Sequence, residues 1–138
     1  MTRSNWFCPK SGNITEQEKM KIIRNIKDFR MKAPVAVTIG MFDGVHAGHQ
    51  ILIKKTIEKA KEINGKAVLV TFSEHPDKML VKNPEIRLIK NTEFNMKLIK
   101  RYGISTVVVL DIRKFADMRP EDFVNKILVK KMRMKYII

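Results

Sequence analysis

The spacing of apolar and polar positions along this 138-residue chain changes period several times, and each change marks an element. Thr15-x-x-Glu18 has the form of a capping box, and Met20, Ile22, Ile23, Ile26 and Phe29 follow at helical spacing, which predicts a first helix over residues 15–30. Ala33-Pro34-Val35-Ala36-Val37-Thr38-Ile39 is a short β-branched run stopped by Gly40, the pattern of a strand buried on both faces. From residue 47 to 63 the helical period returns, with Ile51, Leu52, Ile57 and Ala60 as the apolar face and Asn64-Gly65 as the stop. A second strand is expected over residues 66–72. Beyond a loop through His75-Pro76 and Asn83-Pro84, Thr92 can cap a helix bearing Phe94, Leu98 and Ile99 that Gly103 closes, and residues 106–110 form a third strand. Pro120 suits the first turn of another helix, where Glu121 and Asp122 meet the positive helix end and Phe123, Ile127 and Leu128 face inward. Tyr136-Ile137-Ile138 begins a fourth strand.

Apolar strands alternating with amphipathic helices predict an α/β fold with a doubly wound parallel sheet, whose ligand site lies outside the carboxyl ends of the strands where the winding reverses. The turn after the first strand is such a place. Residues 1–32 read as an N-terminal extension with one helix, and residues 33–138 as a single domain without an internal repeat or linker.

Composition narrows the setting more than the chemistry. An apolar share of 44% and a charged share of 30% suit a globular protein, and no apolar run approaches the roughly 20 residues that span a bilayer. The first ten residues lack the apolar stretch of a secretory signal, and the single cysteine, Cys8, has no internal partner, so a reducing cytoplasm is the expected compartment. A net charge of +14 would attract phosphates of nucleotides, nucleic acids or acidic lipids without choosing among them. Most of the basic groups fall on predicted helices, as solvated faces do.

The chemistry is concentrated in Gly40-Met41-Phe42-Asp43-Gly44-Val45-His46-Ala47-Gly48-His49. A strand that ends in Gly40 and opens into a helix near His46 presents free backbone N–H groups and the positive helix end to an anion, and phosphate fits there. Three glycines allow close approach of a ligand to the backbone, although their spacing matches neither the dinucleotide-binding fingerprint nor the Walker loop. His46 and His49, three residues apart, share one face of the first helical turn and can donate to the same phosphate group. Zinc is the competing reading of paired histidines, but the familiar helical arrangement separates them by four and adds an acidic catalyst, so no resident metal is expected.

The segment resembles the Gly-x-Phe-Asp-x-x-His-x-Gly-His motif of the nucleotidyltransferase superfamily. Together with Thr71-Phe72-Ser73-Glu74-His75-Pro76 and Phe115-Ala116-Asp117-Met118-Arg119-Pro120-Glu121-Asp122-Phe123-Val124, it is similar to successive motifs of prokaryotic FAD synthetases, which are usually bifunctional riboflavin kinase/FMN adenylyltransferases. The resemblance runs from about residue 34 to residue 138. It implies a Rossmann-like domain that transfers AMP from ATP to FMN, giving FAD and pyrophosphate, with Mg²⁺ carried by the nucleotide phosphates. It also implies that His46 and His49 bind ATP phosphates, that Gly40, Met41, Phe42, Asp43 and Gly48 line the nucleotide site, and that Phe72 and His75 lie near the flavin. Met41 stands where Asn is frequent.

The sequence stops where the family continues into a phenylalanine-rich loop, a Ser/Thr-rich motif and a kinase domain, so the expectation is a partial domain with its last elements missing and no riboflavin kinase. A partner chain completing the site, a non-catalytic nucleotide-binding remnant, and a sister cytidylyltransferase or phosphopantetheine adenylyltransferase are the alternatives. A nucleic-acid-binding role rests on charge alone.

Overall fold

The computed structural model describes residues 20–42, 45–72 and 92–138, with backbone only for residues 92–94. Five strands, β1 (Lys21–Ile23), β2 (Val35–Ile39), β3 (Lys66–Phe72), β4 (Thr106–Leu110) and β5 (Met134–Ile137), form one sheet in the order β1-β4-β3-β2-β5. Every pairing is parallel. The helices α1 (Ala47–Glu62) and α2 (Thr92–Arg101) connect β2 to β3 and β3 to β4. The return to β5 runs through a short helix, α3 (Pro120–Asp122), that passes directly into a π-helix (Phe123–Lys131).

Alternation along the strands explains the two layers. In β2, Val35 and Val37 pack with Val68, Val70, Val108 and Leu110 against Leu128 and Met132 at the π-helix. The intervening positions Leu69, Val107 and Val109 pack on the opposite face with Ile53 of α1 and Ile99 of α2. A side-chain period of two therefore feeds two cores from one sheet, and the strands read as continuous apolar runs because both faces are covered. From β2 the chain winds outward through β3 to β4 on one side, then crosses back so that β5 pairs with β2 on the other. The winding thus reverses between β2 and β5, which puts the turn after β2 at the switch point of a doubly wound sheet.

The end of α1 shows how local chemistry sets the geometry. Asn64 takes a left-handed conformation (φ 51°), its N–H donates to the Lys61 carbonyl at 3.1 Å, and the Gly65 N–H donates to the Ala60 carbonyl at 2.8 Å. These two bonds form a Schellman motif. Gly65 is then bound to the sheet by proximity, since a Cβ there would lie 2.2 Å from the Pro34 carbonyl oxygen. α2 ends at Gly103, whose φ of +100° favours glycine.

The structure departs from the periodicity in three places. Within the helix expected over residues 15–30, residues 15–19 lie outside the described set, and the remainder contains β1 and a 3₁₀ turn (Ile26–Asp28). Lys21, Ile22 and Ile23 pair with Thr106, Val107 and Val108, so pairing with a distant strand overrides a local helical pattern. In α1 Ala60 is buried and Ile57 packs on the core as the pattern predicts, whereas Ile51 is exposed and Ile53 and Thr56 take the buried places beside them. The helix at Pro120 continues as a π-helix, its last turn closed by a bond from the Met132 N–H to the Ile127 carbonyl at 3.0 Å.

Candidate functional site

β2 delivers the chain to its carboxyl end at Ile39, and the Gly40 N–H still bonds to the Val70 carbonyl of β3 at 3.1 Å. The turn beyond is anchored by side chains rather than by further pairing. Phe42 and Val45, both buried, belong to the core on the α1 side of the sheet. They draw the turn over that face and set the start of α1 beside the end of β2. Asp43 and Gly44 lie outside the described residues.

His46 is the N-cap of α1, with extended backbone (φ −71°, ψ 169°), and its carbonyl accepts the Gln50 N–H at 3.0 Å. The His46 N–H donates to Nδ1 of His49 at 3.3 Å. An Nδ1 that accepts leaves the ring proton of His49 on Nε2, the tautomer that can donate to a phosphate oxygen. The two rings are 5.8 Å apart between centroids, and His49 also lies 4.8 Å from the Phe42 ring, tilted by 47°. Phe42 is thus a packed base under His49, while His46 stands in solvent. Gln50 fastens the turn from the helix side by donating from Nε2 to the Val45 carbonyl at 3.2 Å.

The glycines of the motif differ in what they are for. A Cβ on Gly40 would come within 3.3 Å of the Phe42 ring, so this position is crowded by the protein itself. Among the described residues, a Cβ on Gly48 would meet nothing within 4 Å beyond its own helix turn, so the absence of a side chain there leaves space on the exposed first turn of α1. Open space, the positive end of a helix and two imidazoles on one face together suit an anion.

Of the other predicted residues, Met41 is half-buried in the turn, and His75 lies outside the described residues. Phe72, at the end of β3, packs against the core on the π-helix side, opposite the face that holds Phe42. The structure therefore brings Gly40, Met41, Phe42, Gly48, His46 and His49 to one corner and sets Phe72 on the other layer. At the carboxyl end of β4, Arg113 donates to both carboxylate oxygens of Asp111 at 3.0 Å, and this hydrogen bonding holds the Asp111 carboxyl below its usual value. Among the described residues no group of three or more His, Cys, Asp or Glu side chains could hold a metal ion. No helix among them is long and apolar enough to cross a membrane.

Two features at this corner escape a reading of the motif alone. Gln50 reads as an ordinary helix residue until its bond to Val45 is seen. Thr38 is a polar residue inside a buried apolar strand, a signal that the strand pattern absorbs.

Comparison with known proteins places the chain in a family. The model of the family described as FAD synthetase matches residues 28–138. The chain is 31% identical over 121 residues to the bifunctional riboflavin kinase/FMN adenylyltransferase of Buchnera aphidicola subsp. Schizaphis graminum, a match that covers 86% of this chain and 39% of that protein. The proteins of the same description from Escherichia coli and Bacillus subtilis are 27% and 30% identical, with 39% and 33% of their lengths covered. The chain thus spans about two fifths of the curated relatives it matches first. Among solved structures, that of a macrolide-efflux protein from Streptococcus pneumoniae superposes with a TM-score of 0.73 at 29% identity, covering 86% of this chain and 47% of that one.

Proposed function

Because the chain belongs to the FAD synthetase family, we propose that the corner formed by residues 40–49 binds ATP and serves adenylyl transfer to FMN. The observation that carries this reading is the pairing of His46 and His49 on the first turn of α1, at the switch point of the sheet and beside the open position at Gly48.

In this reaction a phosphate oxygen of FMN attacks the α-phosphorus of ATP. A new P–O bond joins the two nucleotides, the bond to the bridging oxygen breaks, and pyrophosphate leaves with that electron pair. The protein forms no covalent bond and acts by placing donors where charge accumulates. His46 and His49 donate to the transferring and departing phosphates, and the start of α1 adds its N–H groups and positive end. Gly40, Met41, Phe42 and Asp43 line the nucleotide side through their backbone, with Phe42 holding His49 from below. Gly48 leaves room for phosphate. Phe72 and His75 are assigned to the flavin side, Phe72 by its place at the end of β3. Mg²⁺ would enter on the phosphates of ATP, since that ion is commonly held through substrate oxygens.

The same reading assigns residues 33–138 to the nucleotide-binding domain and a cytoplasmic setting to the chain, and leaves a place for a partner chain at the site. Incubation with ATP, FMN and Mg²⁺, followed by chromatography, is expected to yield FAD and pyrophosphate. Turnover of CTP with a phosphoalcohol in place of FAD formation would contradict the assignment. ATP binding without FAD would favour the non-catalytic reading.

A further inference from the structure

Two buried side-chain atoms among the described residues have no hydrogen-bond partner, the hydroxyl of Thr38 and Oδ1 of Asn95. Thr38 is wholly inaccessible (0% exposed) and lies one residue before the end of β2. Since Val35 and Val37 pack on the π-helix side, alternation turns Thr38 to the α1 side. Phe42 and Val45, the two apolar anchors of the turn, return to that same face. Thr38 therefore sits in the layer beneath the turn that presents the two histidines.

A buried hydroxyl without a partner destabilises the fold relative to a methyl of the same shape, and such groups are rare enough to call for a reason. Thr56, equally inaccessible, shows the ordinary solution, donating to the Leu52 carbonyl at 2.6 Å. Thr38 pairs with Leu69 of β3 on that face, and the rest of β2 is apolar, so valine would suit position 38 better if packing were the only demand.

We infer that Thr38 is a positioning residue for the phosphate-binding turn, its hydroxyl hydrogen-bonding to the backbone of the β2–α1 turn when nucleotide phosphate is bound. Binding then satisfies a group that folding leaves unsatisfied, and part of the affinity for ATP comes from that difference between the two states. The inference rests on residues 40–49 being the ATP site.

The test compares Thr38→Val, Thr38→Ser and Thr56→Val with the unaltered chain, by calorimetric titration with ATP and by thermal unfolding with and without ATP. Thr38→Val is expected to melt higher than the unaltered chain when free, to bind ATP about tenfold more weakly, as loss of one hydrogen bond implies, and to be stabilised less by ATP. Thr38→Ser, which keeps the hydroxyl, retains the affinity. Thr56→Val melts lower and binds ATP normally. Unchanged ATP affinity in Thr38→Val, or a melting point below that of the unaltered chain when free, overturns the inference and leaves the ATP site standing. Absence of ATP binding by the unaltered chain, or binding indifferent to His46→Ala with His49→Ala, overturns both.

Discussion

At the scale of single residues, Gly65 shows how little freedom the sheet leaves where a helix hands over to a strand. Its absent Cβ would lie 2.2 Å from the Pro34 carbonyl oxygen, and that oxygen already accepts the Lys66 N–H at 2.9 Å, at the first pairing of β2 with β3. The carbonyl can retreat only by breaking that bond. Gly65→Ala is therefore expected to destabilise the chain by about 2–3 kcal/mol, in the range of overpacked interiors. Urea unfolding measures this, and a change below about 0.5 kcal/mol, typical of a surface position, would show that the contact relaxes freely. The Asn64-Gly65 stop is legible in the sequence, but not the division of labour within it. Asn64 supplies the left-handed turn, while Gly65 is required by a neighbour 31 positions earlier.

At the scale of elements, the first turn of α1 combines a structural and a chemical role, and Gly48 separates them. Among the described residues, alanine there meets nothing within 4 Å beyond its own helix turn, and it is a better helix former than glycine. Gly48→Ala should therefore melt at or above the temperature of the unaltered chain yet bind ATP more weakly, because its methyl occupies the space assigned to phosphate. Thermal unfolding and calorimetry on one preparation check both halves; undiminished ATP affinity would move the phosphate away from this turn. The strands β2, β3 and β4 and the helix α1 are readable from sequence because their apolar positions are dense and bounded by glycine or capping residues. β1 is not. Its three residues share with a helix the spacing of Ile22, Ile23 and Ile26, and only β4, more than 80 positions away, decides between the two. The paired histidines are likewise legible from their spacing. The packing of Phe42 under His49 depends on which face of the sheet the turn falls upon, and the sequence pattern does not specify that.

At the scale of the whole molecule, the all-parallel sheet places the carboxyl ends of its strands together, and the reversal between β2 and β5 opens the corner where residues 40–49 lie. The net charge of +14 on the chain favours any anion, so binding of ATP alone would not identify the site. Replacing His46 and His49 leaves that formal charge unaltered, because neutral histidines do not contribute to it. The most direct measurement is accordingly a calorimetric titration of the chain with ATP and Mg²⁺ at physiological ionic strength, repeated with His46→Ala together with His49→Ala. Saturable binding that weakens by at least about tenfold in the double variant is the predicted result, as expected from losing hydrogen bonds to a charged phosphate. Equal affinity in both proteins would contradict the assignment of the nucleotide phosphates to this turn.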